Sequence, residues 1–166
     1  MDKTIEDLQK ATKELAKASW KDREKFDRMR KLLENTDGLS TSIIEKGDSK
    51  TLVVAAEAMG LYLMKRGITS SQLRNIFGYA KRIDEEVKNT SEPLSSDVVH
   101  KLLLLSPKLA YVAGRETNRD KKGALELLRE FFDKCVEKIG TDATKFKRFI
   151  DLFESILSYH KFYGAK

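Results

Sequence analysis

Thr141-Asp142-Ala143-Thr144-Lys145-Phe146-Lys147-Arg148-Phe149-Ile150-Asp151-Leu152-Phe153-Glu154-Ser155-Ile156-Leu157-Ser158-Tyr159-His160-Lys161-Phe162-Tyr163-Gly164 is the stretch on which the fold class turns. Phe146, Phe149, Ile150, Phe153, Ile156 and Leu157 recur at helical spacing, three and four residues apart, and so form one apolar stripe. Thr141 is the predicted N-cap and Gly164 the predicted C-terminal stop. Leu152, Tyr159 and Tyr163 widen the stripe towards a second face. A helix this aromatic needs partners, and the spacing predicts that other helices pack around it.

Working back towards the N-terminus, Leu127, Leu128, Phe131, Phe132, Val136 and Ile139 mark a helix over 123–139, ended by Gly140. The polar stretch Glu116–Lys122 before it reads as a loop. Pro107 at a first helical position predicts a helix over 107–116, and another runs over 95–105. Asn89-Thr90-Ser91-Glu92-Pro93 is a break. Thr69-Ser70-Ser71-Gln72 has the form of a capping box and starts a helix that runs to about Asn89. Ser49 is the predicted cap of a helix over 50–66, with Leu52, Val53, Ala56, Met59, Gly60 and Leu63 inward. Residues 39–48 read as a loop, with room for one short helical turn before Gly47-Asp48, and Asn35-Thr36-Asp37-Gly38 as a turn. Residues 4–34 read as one long charged helix with a thin stripe of Ile5, Leu8, Leu15, Phe26, Met29 and Leu33. Such a helix is either a solvated outer element or one that docks on, or is exchanged with, a partner. The sum is an all-α, compact single-domain bundle of about six helices with a long charged N-terminal helix.

Composition narrows the function. The 166 residues carry 35% charged side chains and a net charge of +6. Half of that excess sits in 93–122, where six bases face three acids. A polyanionic partner fits this balance. The apolar runs Leu52–Ala56 and Leu102–Leu105 are too short to cross a bilayer, and Met1–Asp7 has no signal-peptide character, so a cytoplasmic protein is expected. Cys135, the one cysteine, reads as a core thiol beside Phe131 and Phe132. Two histidines and one cysteine cannot supply a His/Cys metal cluster. Neither a Glu-x-x-His pair, a phosphate-cradling glycine loop nor a nucleophile elbow occurs. No catalysis and no cofactor are therefore expected. His160 reads as a hydrogen-bonded core residue.

What remains is a set of separated cations. Arg74 and Lys81 lie seven residues apart, hence about 10 Å apart on one helix face. Gly78 between them keeps that face low. Lys108 and Arg115 repeat the spacing, with Tyr111 and Gly114 nearby. Lys161 adds a cation among Tyr159, Phe162 and Tyr163. Cations at these intervals suit a phosphate chain, and exposed rings suit bases. An ordinary solvated face with buried Lys and Arg stems is the competing reading.

Three blocks carry a family resemblance: Ile68–Arg74 (ITSSQLR), Leu105–Arg115 (LSPKLAYVAGR) and Phe149–Gly164, with FESILSYHKFYG from Phe153. In order and spacing the chain resembles the small α-helical subunit of type III-A CRISPR effector complexes, the Csm complexes. Residues 1–48 hold no motif of that family. The resemblance implies a non-catalytic subunit whose copies line up as an inner filament. It implies contact with guide RNA and target RNA, largely independent of sequence, beside the other Csm complex subunits, with self-association. Carried over by position, it points to Arg74, Lys108, Arg115 and Lys161 as RNA contacts, with His160 a weaker candidate. Lys81 joins them on spacing alone. A helical protein–protein adaptor, with a basic face for an acidic partner, is the alternative. An enzyme assembled from dispersed residues is a third.

Overall fold

A computed structural model describes residues 3–88 and 93–166, and all of its regular structure is helical. The helices are α1 (Lys3–Ala16), α2 (Arg23–Leu33), α3 (Thr36–Ser40), α4 (Ser49–Lys65), α5 (Ser70–Val87), α6 (Ser96–Leu103), α7 (Leu105–Arg115), α8 (Arg119–Ile139) and α9 (Ala143–Phe162), with a π-helical turn at Thr41–Glu45. The expected bundle of about six helices is thus nine α-helical segments among the described residues. The break expected at Asn89–Pro93 lies mostly outside them.

The long N-terminal helix is the main correction. It stops after Ala16 and folds back as α2, which packs on α1. The reason is local. Between Leu15 and Phe26 only the small Ala18 is buried, too little to continue the stripe, and Trp20 points outward at 78% exposure. The Ser19 hydroxyl accepts the Lys21 N–H at 3.3 Å, and the Ser19 carbonyl accepts the Asp22 N–H at 3.1 Å. Side chain and backbone of Ser19 together close a turn in place of a helix. Ile5, Leu8, Ala11 and Leu15 of α1 are buried, and α1 packs on α4 of its own chain.

Residues 39–48 are helical rather than a loop over most of their length, as α3 and the π turn. Leu39, Ile43 and Ile44 are buried there. Arg148 Nη1 donates to the Ile44 and Glu45 carbonyls at 2.9 and 3.2 Å, which satisfies acceptors at the end of the turn. Polar caps shift other boundaries. Asp48, rather than Ser49, caps α4. Asn118 accepts the N–H groups of Asp120 and Lys121 and starts α8 at Arg119, so the loop expected at 116–122 is short. Asp142, rather than Thr141, caps α9 and accepts the Lys145 N–H at 3.1 Å. Pro107 is the third residue of α7, not the first, and still sits where its missing N–H has no intrahelical acceptor.

Helix α9 is central. It packs on α4, α5, α8 and the π turn. Phe153 meets Phe132 at 4.7 Å and Phe77 at 5.1 Å between ring centroids, and Phe132 meets Phe149 at 4.9 Å. Against α4 the approach is closer still: a methyl group on Gly60 would lie 2.9 Å from the His160 amide nitrogen and the Ile156 carbonyl oxygen. Helix α4 is apolar nearly all round: of the residues read as inward, Ala56, Met59, Gly60 and Leu63 are buried and Leu52 is half-buried. Val53 is exposed, while Val54, Ala55 and Leu61 are buried. Helix α9 ends as its sequence predicts. Gly164 takes a positive φ of 102°, the Ala165 N–H returns to the His160 carbonyl, and the Gly164 N–H returns to that of Lys161. These are the two bonds of a Schellman motif.

Candidate nucleic-acid interface

The seam between α5 and α7 is held at both ends and open between. At one end the capping box of α5 is complete. The Thr69 hydroxyl accepts the Gln72 N–H at 3.2 Å, and the Gln72 carboxamide oxygen accepts the Thr69 N–H at 3.0 Å. The same carboxamide donates through Nε2 to Glu116 at 3.2 Å, so the cap of α5 also grips the end of α7. At the other end the Tyr79 hydroxyl donates to the Lys101 carbonyl at 2.7 Å, tying α5 to α6. Between these ties runs a groove of about 450 Å³ that includes Asn75, Ile76, Pro107, Lys108 and Tyr111 in its walls. A second hollow of about 280 Å³ adjoins it and adds Gln72 and Arg115; both share Asn75 and Val112.

Two of the expected cations line these adjoining hollows, Lys108 the first and Arg115 the second, where Glu116 also stands. Lys108 Nζ stands 4.4 Å from the centroid of the Tyr79 ring. The Arg115 guanidinium stands 5.6 Å from that of Tyr111, which is itself 66% exposed. Both side chains are exposed, and neither has a carboxylate partner among the described residues. A cation–π contact at such a site is worth about 0.5–1 kcal/mol, enough to bias the side chain and too little to hold it against a phosphate. Arg74 is exposed one residue from Asn75, also without an ion pair among the described residues. The face of α5 between Arg74 and Lys81 is open: a methyl group on Gly78 would meet nothing within 4 Å.

The other expected cations are placed elsewhere. Lys81 Nζ lies 3.3 Å from Asp84, whose other carboxylate oxygen takes Lys147 of α9 at 2.5 Å. Burial alone would raise the Asp84 carboxyl, and the two lysines outweigh it and hold it below the usual carboxylate range. Lys161 is exposed at the end of α9, where its Nζ donates to the Ala165 carbonyl at 3.4 Å. His160 is buried, with Nε2 2.8 Å from the Ile68 carbonyl. That oxygen only accepts, so Nε2 carries the proton and donates. Burial pushes the imidazole below its usual range despite this bond. His160 is therefore a core residue that fixes the end of α9 to the start of α5. Cys135 is fully buried, and burial pushes its thiol up. Among the described residues no group of three His, Cys, Asp or Glu side chains is placed to hold a metal ion. Nor is any described helix long and apolar enough to cross a membrane.

The sequence missed Asn75 and Gln72 as lining residues and Tyr79 as the ring beside Lys108. Only the capping role of Gln72 showed in the pattern; Asn75 and Tyr79 gave no signal before α7 was seen to lie beside them.

The family model described as Csm2, type III-A, matches residues 45–166. The chain belongs to the Csm2 family. The match covers both walls of the groove and all of α9, and leaves out α1, α2 and the turn between them. No curated protein matches the chain. Family membership makes it a small subunit of type III-A CRISPR Csm complexes, with the other Csm subunits as its partners.

Proposed function

We propose that this Csm2-family subunit has a structural role, holding RNA by its backbone along the α5–α7 groove while copies stack head to tail as an inner filament beside guide and target RNA. The observation that carries the reading is the placing of Lys108 and Arg115 along two adjoining hollows of one seam, each over a tyrosine ring and neither in an ion pair among the described residues. Arg74 extends the cationic line along α5. Lys81 and Lys161 stay outside the main contact, the first tied to Asp84 and the second to the C-terminal backbone. Binding without base readout suits the role, because pairing between guide and target already reads the sequence.

The test is RNA binding against salt concentration, with strands of unrelated sequence. The triple variant Arg74→Glu, Lys108→Glu, Arg115→Glu is expected to weaken binding and flatten the logarithmic salt slope, by about one unit or less per lost contact. An unchanged slope would remove the groove from the reading. The apolar share of the groove wall, with Ile76, Pro107 and Val112, favours a second reading: a protein-docking surface. An adaptor of that kind would bind one Csm subunit tightly and RNA of any sequence hardly at all.

A further inference from the structure

We propose a second RNA contact at the turn between α1 and α2, where an unpaired base stacks on Trp20 while Lys21 and Arg23 hold its phosphates. It is separate from the α5–α7 groove and shares no lining residue with it. It rests on the RNA-binding reading only for the class of ligand.

Four observations place it. First, Trp20 is 78% exposed at the tip of the turn. An exposed indole presents a large flat apolar face and one N–H donor, the kind of surface on which a base stacks. Second, the backbone of the turn is anchored. Ala18 beside Trp20 is buried, and its carbonyl accepts from Lys65 Nζ of α4 at 2.9 Å. The Ser19 turn described above ties down the next residues. An anchored turn loses little backbone entropy on binding. Third, the ring has cations around it. Lys21 Nζ lies 5.3 Å from the Trp20 centroid, and Arg23 is exposed with no ion-pair partner among the described residues. Fourth, Trp20, Lys21 and Arg23 share a cavity of about 560 Å³ with Asp27 and Arg66, which is room for a nucleotide. Arg66 is spoken for: it lies 4.0 Å from the Phe26 ring centroid and 3.5 Å from Asp120, and shapes the floor instead of binding phosphate. The Asp27 carboxylate suits a base N–H or a ribose hydroxyl and not a phosphate. Asp120 also lines the cavity, with its charge turned to Arg66. Ring, cations and the acceptor of Asp27, unpaired among the described residues, are the parts of a stacking site for single-stranded RNA. A protein side chain would gain less from a wall so rich in charge.

Trp20 is the sole tryptophan of the chain, so its fluorescence reports this site alone. The experiment titrates the full chain with a short single-stranded oligouridylate, reading tryptophan emission and, in parallel, anisotropy of a label on the strand. Quenching of Trp20 is expected. An abasic strand of equal charge is expected to bind without quenching. Trp20→Ala should lower the affinity for oligouridylate about tenfold, and Trp20→Phe should retain most of it. Trp20 is exposed, so neither variant threatens the fold. Quenching that persists in Lys108→Glu, Arg115→Glu supports this site whatever becomes of the groove. Strand binding with silent tryptophan emission overturns this proposal and leaves the groove standing. Binding of neither strand by either signal overturns both. Quenching by another Csm subunit, with none by RNA, overturns it in favour of protein docking.

Discussion

Helices α4 and α9 meet backbone to backbone, whereas α5 and α7 are held apart by upright side chains. At the first seam Gly60 leaves out a Cβ that would strike the α9 backbone, and His160 and Ile156 close over it. At the second, Tyr79 and Lys108 stand against each other and leave a groove. The lesson concerns where a small helical protein can place a binding surface. Phe146, Phe149 and Phe153 of α9 are wholly in the core, and of its rings only Phe162 at its end stands exposed. Cations gather where the packing is loose enough to keep their heads in water and their stems on a ring.

The contrast yields its largest expected effect at Gly60. Gly60→Val places new carbon against backbone atoms that cannot turn aside, and should cost about 3 kcal/mol of stability in denaturant unfolding. A loss within a few tenths would mean that the seam is looser than described. Next comes the acid limb of stability. The buried imidazole of His160 resists protonation in the folded state, whereas in the unfolded chain it titrates near its reference value of 6.5. Below that pH the unfolded chain binds the extra proton, so stability should fall on acidification, levelling only below the lowered native value. His160→Gln retains an N–H for the Ile68 carbonyl without titrating, and should flatten the unfolding midpoint over that window. The smallest effect is of opposite sign. Gly78→Ala meets nothing and should raise stability by about 0.5–1 kcal/mol, while crowding the face beside Arg74.

What the sequence revealed follows the same division. The α9 stripe, the Thr69–Gln72 box and the Gly164 stop were legible because each is a local pattern with a short-range cause. So was the spacing of Lys108, Tyr111 and Arg115, all on one helix. Lys81 shows what such reading leaves out. No acid lies between Thr69 and Ile83, but Asp84 is the next residue, and Lys147 arrives from a helix more than sixty residues away. Tyr79 was silent for a like reason: its partners lie on α6 and α7. The hinge at Lys17–Asp22 was missed because a thin charged stripe tolerates a break that only the gap between Leu15 and Phe26 reveals.

The Lys65–Ala18 bond carries a consequence for how such a chain can diverge. Its acceptor is main chain, and a carbonyl is there whichever residue follows it. The turn is mounted on α4 without any demand on the identity of the residue at its crest. Its tip can therefore be rewritten, tryptophan for something else, while its address on the scaffold stays fixed. The hairpin is an exchangeable fitting on a standard socket, at the margin of the part that the family shares.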